Sequence, residues 1–245
     1  LALIVGVDWF FINIENRVTD ASEDVINQVP GAQAVARARR WMEPAVLAGL
    51  ALSVVVVHLW WPALTPWRIA VAVVGLAYSY RLVPSPSGAK RLKQIYVVKN
   101  AGSAALFVVT CMVYPLVASD RAPMVPDGYV IAMMLFFPLF EMTYEIIYDL
   151  RDLPGDRAEQ IPTFPVVHGE AAAVRIIMLL LVTSSLCLVT AFALGVVGAR
   201  ELLMLAAPAL QVWLLRVWLP RGITHRDCIV LTHLGTALML LLDRK

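Results

Sequence analysis

The sequence predicts an all-α protein: a polytopic bundle of transmembrane helices that forms a single domain over residues 1–245. Hydrophobic residues make up 60% of the chain and charged residues only 16%, whereas a soluble domain has about a quarter charged residues. Apolar runs close to the length that crosses a bilayer recur along the chain. The connections that carry no motif are short, which suits a compact antiparallel bundle. We therefore expect this protein to lie in the lipid bilayer and to bind no nucleic acid.

Eight apolar segments follow one another along the chain. The first begins at Leu1, already inside an apolar run, so we expect it to be the end of a span whose earlier part lies upstream of Leu1. The predicted spans are 1–13, 42–61, 67–80, 95–118, 129–148, 172–197, 202–219 and 228–242.

Alternation of these spans sorts the basic residues onto two sides of the membrane. One side carries Arg37, Arg39, Arg40, Arg81, Lys90, Arg91, Lys93, Arg151, Arg157, Arg221 and Arg226. The other side carries Arg68, Arg121, Arg200, Arg244 and Lys245. Loops rich in Lys and Arg face the cytoplasm, and both acidic stretches of the chain fall on the more basic side. We therefore expect the acidic motifs on the cytoplasmic side of an integral, multi-pass membrane protein.

The first acidic motif follows the first apolar segment. Asn16, Asp20 and Asp24 are spaced by four residues. At 3.6 residues per turn the helix face drifts by only about 40° per step, so all three side chains can point into one cavity.

The second acidic motif closes the span at 129–148, within residues 141–156. Its helical part carries four acids at spacings of four, four and three, which places them on one face: Glu141, Glu145, Asp149 and Asp152. Pro154 and Gly155 are predicted to end the helix, so Asp156 is expected in the loop. Carboxylates stacked at the end of a membrane helix need a cation, and oxygen ligands suit Mg²⁺. Two such clusters can each hold one Mg²⁺ and clamp an anionic group between them. The alternative is that these are solvated loop acids paired with Arg17, Arg151 and Arg157.

The two motifs resemble those of the UbiA superfamily of intramembrane prenyltransferases. N-R-V-T-D-A-S-E-D-V-I-N-Q at 16–28 is similar to its first aspartate-rich motif, NDxxDxxxD with an I-N-K-P-like tail. D-L-R-D-L-P-G-D-R at 149–157, followed by P-T-F-P-V-V-H-G at 162–169, resembles its second motif, DxxDxxxD and T-x-P-x-x-x-G. Arg17 departs from the pattern, which has Asp there, and Gln28 replaces a Lys. The family has nine transmembrane helices, so the first helix and part of the second would precede Leu1.

The resemblance implies a central cavity, open to the lipid, that binds a polyprenyl diphosphate through two Mg²⁺ ions. It implies Asn16, Asp20 and Asp24 as ligands of one ion and Asp149, Asp152 and Asp156 as ligands of the other. The candidate cations for the diphosphate are Arg17, Arg81, Lys90, Arg91, Lys93, Lys99 and Arg157. Lys99 stands out among them because it lies within an apolar run.

The predicted reaction is ionisation of the allylic diphosphate, which releases diphosphate, and capture of the prenyl cation by an aromatic or lipid-like acceptor. The predicted catalytic residues are Asp20, Asp149, Lys99 and Tyr148. The altered first motif keeps a second reading open, a UbiA-type terpene cyclase that captures the cation intramolecularly at the same metal site. A third, a non-catalytic transporter or lipid-binding protein, does not need two metal-spaced clusters on one face.

Overall fold

The computed structural model describes residues 1–86, 88–119 and 125–242, and α-helices dominate these ranges. Arg121, Arg244 and Lys245, which belong to the less basic side of the predicted topology, lie outside the described residues. Val83 and Lys90 form one isolated antiparallel bridge. The helices are α1 (Ala2–Thr19), α2 (Ala21–Ile26), α3 (Ala32–Trp60), α4 (Thr65–Ser79), α5 (Val98–Val108), α6 (Tyr114–Ala118), α7 (Asp127–Ala158), α8 (Phe164–His168), α9 (Glu170–Ala193), α10 (Ala206–Trp218) and α11 (His225–Leu242).

The predicted all-α membrane bundle is confirmed. A π-helical turn at Val109–Val113 joins α5 and α6 into one helix, and a 3₁₀ turn at Glu201–Leu205 precedes α10. Within the described ranges, five helices are long and apolar enough to cross a membrane: Ala32–Trp60, Val98–Ala118, Asp127–Ala158, Glu170–Ala193 and Glu201–Arg221. The predicted spans at 1–13 and 67–80 correspond to α1, which contains Asp8, Glu15 and Arg17, and to α4, which has 15 residues.

Two groups of apolar side chains hold the bundle together. The larger group lies where α7 packs against α9 and α10, and it includes Phe136, Ile146, Ile177 and Leu215. The smaller group joins α1, α4, α5 and α6. Helix α5 also packs against α7, so it connects the two groups and leaves space between α1 and α7.

Helix α7 continues through Pro154 and Gly155 to Ala158, so the prediction that these two residues end the helix was wrong. Proline removes one backbone donor and crowds the carbonyl four residues earlier, which opens the hydrogen-bond ladder. Here the Gly155 N–H donates to Asn27 Oδ1 at 2.7 Å. A side chain from α2's end therefore bonds the opened turn, and Asp156 stays on the helix.

A buried ion pair joins α1 to α4. Arg68, which is 1% exposed, pairs with Asp8, which is 2% exposed, and donates to the Ser53 carbonyl at 2.7 Å. The Tyr114 hydroxyl donates to the same Asp8 carboxylate at 3.0 Å. Arg68 is thus a core residue, not a loop charge on the less basic side.

Candidate functional site

A cavity of about 590 Å³ lies between α1, α4, α5, α7 and α11, at the end of the bundle where both acidic motifs occur. The first motif contributes Asn16, Asp20 and Asp24 to its wall, and the second contributes Asp149 and Asp152. The two motifs are more than a hundred residues apart in the sequence, but they lie close together here because α1 and α2 face α7 across the cavity.

The first motif is shared between α1 and the short α2. Asn16 and Arg17 lie in the last turn of α1, Asp20 joins the two helices, and Asp24 lies on α2. Arg17 lines the cavity and donates from Nη2 to the Pro30 carbonyl. Burial raises the pKa of Asp24 to about 6; the Arg17 guanidinium opposes this rise, while Asp20 and Asp152 add to it. The two motifs therefore lie close enough for their carboxylates to repel each other.

In the second motif the three aspartates have different surroundings. Asp149, which is 2% exposed, accepts from Lys99 Nζ at 2.7 Å and from Asn100 Nδ2 at 2.8 Å. Asp152 is half-buried and pairs with the neighbouring Arg151, whose Nε lies 2.7 Å from Oδ1. Asp156 is fully buried, pairs with Lys99 at 3.2 Å and does not line the cavity.

Three of the seven candidate cations line the cavity: Arg17, Lys93 and Lys99. Lys93 Nζ lies 2.6 Å from Asp20 and 2.9 Å from Glu23. Arg91 bonds Asp20 from outside the cavity at 3.1 Å. The structure places Arg81 and Arg157 on the exposed surface and Lys90 in the bridge with Val83. The basic segment before α5 is thus held to the first motif by Arg91 and Lys93.

The donor set around the cavity fits a hard divalent cation in its chemistry. All five motif residues that line it offer oxygen, the ligand type that Mg²⁺ prefers. Asn16 Oδ1 is buried and accepts no hydrogen bond from the described residues. In the same part of the chain no three His, Cys, Asp or Glu side chains are arranged to hold one ion. The motif carboxylates instead form ion pairs with Lys93, Lys99 and Arg151.

Apolar and aromatic side chains form the deeper wall. Ile12, Val74 and Leu106 line it, as do Trp9, Tyr78 and Tyr148. The Arg151 guanidinium lies 5.2 Å from the centroid of the Tyr148 ring, so a cation already occupies one face of this predicted catalytic residue. The Tyr148 hydroxyl bonds Thr232 on α11.

Several polar residues at the site were missed by sequence reasoning. Glu23 shares Lys93 with Asp20, and Asn100 holds Asp149. His225 lines the cavity and donates from Nε2 to the Asn27 carbonyl at 3.0 Å. The polar pair Lys99–Asn100 lies within an apolar run, and this pattern could have indicated that Asn100 belongs to the site. No spacing in the sequence distinguishes Glu23 or His225 from ordinary surface residues.

Comparisons with known proteins agree with these motifs. A model of the UbiA prenyltransferase family matches residues 2–239. A digeranylgeranylglyceryl phosphate synthase of Haloquadratum walsbyi is 32% identical over 94 residues, which are 38% of this chain and 32% of that protein. The matched segment thus spans about a third of the curated relative's length. No solved structure matches the chain.

Proposed function

Since the chain belongs to the UbiA prenyltransferase family, we propose that it is an Mg²⁺-dependent intramembrane prenyltransferase. It ionises a polyprenyl diphosphate and transfers the prenyl group to an aromatic or lipid-like acceptor, releasing diphosphate. The observation that carries this proposal is the convergence of both acidic motifs, Lys93 and Lys99 on one cavity with an apolar far wall.

The acidic mouth suits the charged end of such a donor. Asn16, Asp20 and Asp24 would hold one ion, and Asp149 and Asp152 would hold a second. Asp156 joins the second set only if Lys99 releases it. When bound, Mg²⁺ would neutralise charge that builds on the leaving diphosphate. Lys93 and Lys99 lie beside these acids and can donate to phosphate oxygens, which favours scission of the allylic C–O bond. The same two lysines hold Asp20 and Asp149 in place before substrate arrives.

The deeper wall suits the hydrocarbon end. Burial of a prenyl chain against Ile12, Val74 and Leu106 is favourable in proportion to the apolar area removed from water. Water excluded by these side chains cannot quench the allylic cation. The rings of Tyr78 and the free face of Tyr148 can stabilise that cation through their π electrons.

The relative from Haloquadratum walsbyi supports a lipid-like acceptor, because that protein is a digeranylgeranylglyceryl phosphate synthase. The positive-inside pattern supports a cytoplasmic position for the cavity mouth. Arg68 is buried against Asp8 and therefore does not count as a loop charge. Without it, the excess of basic residues on the predicted cytoplasmic side is larger.

The test is product analysis by mass spectrometry on the purified chain in lipid, with Mg²⁺ and geranyl, farnesyl or geranylgeranyl diphosphate. Acceptor is first omitted and then supplied as a phenol or as a glyceryl phosphate ether with a free hydroxyl. An adduct that needs acceptor and Mg²⁺ supports the proposal. A terpene formed without acceptor identifies the cyclase alternative, and no release of diphosphate with any donor refutes both.

Asp20→Ala and Asp149→Ala should each abolish Mg²⁺-dependent diphosphate release, because each removes a cavity-lining carboxylate from one of the two motifs. Asp127→Ala is the matched control, since this exposed carboxylate begins the same helix as Asp149 and lies away from the cavity. Full activity in either motif variant contradicts the site assignment.

A further inference from the structure

Glu145 is a cavity-lining carboxylate that the diphosphate site does not use. It lies on α7, four residues and thus one turn before Asp149, and both line the cavity. Asp149 is neutralised by Lys99 and held by Asn100. Glu145 has no ion-pair partner among the residues that the structure describes; its one hydrogen bond there is from Ser103 Oγ to Oε1, at 2.8 Å. A carboxylate that no ion pair neutralises is costly inside a membrane bundle, which makes it a candidate functional residue.

Open space adjoins this carboxylate. Gly102 and Ser103 of α5 line the cavity beside it, and a Cβ added at Gly102 would meet no atom within 4 Å. The surrounding wall is apolar at Leu106 and Val74. Ser103 bonds Oε1, and no described residue bonds Oε2, so this oxygen of a cavity-lining carboxylate is available to a bound group.

Resting on the proposed prenyl transfer, we propose that Glu145 binds the nucleophilic hydroxyl of the acceptor and takes its proton, with Ser103 as the residue that positions it. The acceptor class is therefore an alcohol or phenol. This location lies one turn beneath the diphosphate-binding acids, where the first carbon of a prenyl chain enters the apolar part of the cavity.

The step balances without any further reactant. The allylic C–O bond of the donor breaks, and both electrons leave with the diphosphate. The acceptor oxygen forms the new C–O bond to the prenyl carbon, and its proton moves to the Glu145 carboxylate. The proton passes to water when the product leaves, which restores the carboxylate for the next turnover.

The test compares Glu145→Gln with Glu141→Gln in the full-length chain in lipid. Glu141 is the matched control, because it lies one turn earlier on the same helix and does not line the cavity. The probes are geranylgeranyl diphosphate with Mg²⁺ and either a glyceryl phosphate ether with one free hydroxyl or a phenol. Removing a general base costs about 10²–10⁴-fold. We expect a loss of at least about a hundredfold in kcat for transfer in Glu145→Gln, with the donor KM unchanged and more free prenyl alcohol per diphosphate released.

Ser103 gives an independent measurement. Ser103→Ala should lower kcat for transfer, and Ser103→Thr, which keeps the hydroxyl, should restore it. The two Ser103 variants test the role of Glu145 even if Glu145→Gln does not fold. Equal transfer by Glu145→Gln and Glu141→Gln, equal transfer by Ser103→Ala and Ser103→Thr, or loss of donor binding in Glu145→Gln overturns the assignment. Failure of the proposed function itself is distinct, since the unsubstituted chain would then release no diphosphate.

Discussion

Gly155→Ala should destabilise the protein through a single side chain, Asn27. A Cβ at Gly155 would lie 2.4 Å from Asn27 Nδ2 and 2.8 Å from its Cγ. Asn27 cannot yield freely, because its Oδ1 accepts from the Gly155 N–H at 2.7 Å and its carbonyl accepts from His225 at 3.0 Å. The substitution therefore forces Asn27 away and leaves a buried donor on α7 unpaired.

The expected cost follows from these contacts. A buried donor left without its acceptor costs about 1–3 kcal/mol. Alanine in a helix interior gains about 0.5–1 kcal/mol over glycine. The net loss in the free energy of unfolding is therefore about 0–2.5 kcal/mol, and near 1 kcal/mol at the middle of both ranges. In an Asn27→Ala background the obstacle is gone, so the same Gly155→Ala change should stabilise the protein by about 0.5–1 kcal/mol. The sign of the effect should reverse between the two backgrounds.

The assay measures unfolding in mixed detergent micelles through the rate at which the Cys228 thiol is labelled. This thiol is 2% exposed in the folded chain. The four members of the double-mutant cycle are compared under the same conditions. Because Asn27 connects the first motif to the second, transfer activity should fall in Gly155→Ala as well. Equal effects of Gly155→Ala in the parent and in the Asn27→Ala background would refute the reasoning.

Two further predictions concern the cations of the cavity. Arg17→Ala should weaken donor binding about tenfold or more, because a charge-assisted hydrogen bond is worth about 1.5–3 kcal/mol; unchanged affinity in a direct binding measurement would make Arg17 a bystander. Lys99→Ala leaves the buried carboxylates of Asp149 and Asp156 without their cation, so it should lower the free energy of unfolding by about 3–5 kcal/mol. Lys99→Arg, which keeps the charge, should lose less, and equal stability of the two variants in micelles would contradict the structural role.

The helices could be predicted because hydropathy and length determine them. One departure is the end of α7, where proline and glycine normally predict a stop. The helix continues there because Asn27, 128 residues earlier in the chain, bonds the N–H of Gly155. No local pattern carries that information, since it depends on how α2 packs against α7.

Of the acids that the spacing groups together, Asp20, Asp24, Asp149 and Asp152 line one cavity with Asn16, whereas Asp156 and Glu141 do not line it. The partners of those acids were not predictable. Lys93 and Arg91 looked like loop cations, yet both bond Asp20. Arg81 and Arg157 are also basic residues near the ends of predicted spans or motifs, but they remain on the exposed surface. The path of the segment before α5 is what brings Arg91 and Lys93, and not Arg81 and Arg157, to the first motif. The metal ligands and the diphosphate cations stay predictions.

The buried pair of Asp8 and Arg68 has a consequence for how the chain enters the bilayer. Arg68 lies in the first turn of α4, a helix of 15 residues that has little apolar length to offset the cost of placing a charge in lipid. Asp8 is synthesised 60 residues earlier, so α1 must stay within reach until Arg68 emerges. Helix α3, whose Ser53 carbonyl accepts from Arg68, is made between them. We therefore expect α1, α3 and α4 to enter the lipid together, so that Arg68 pairs with Asp8 before it is exposed to hydrocarbon.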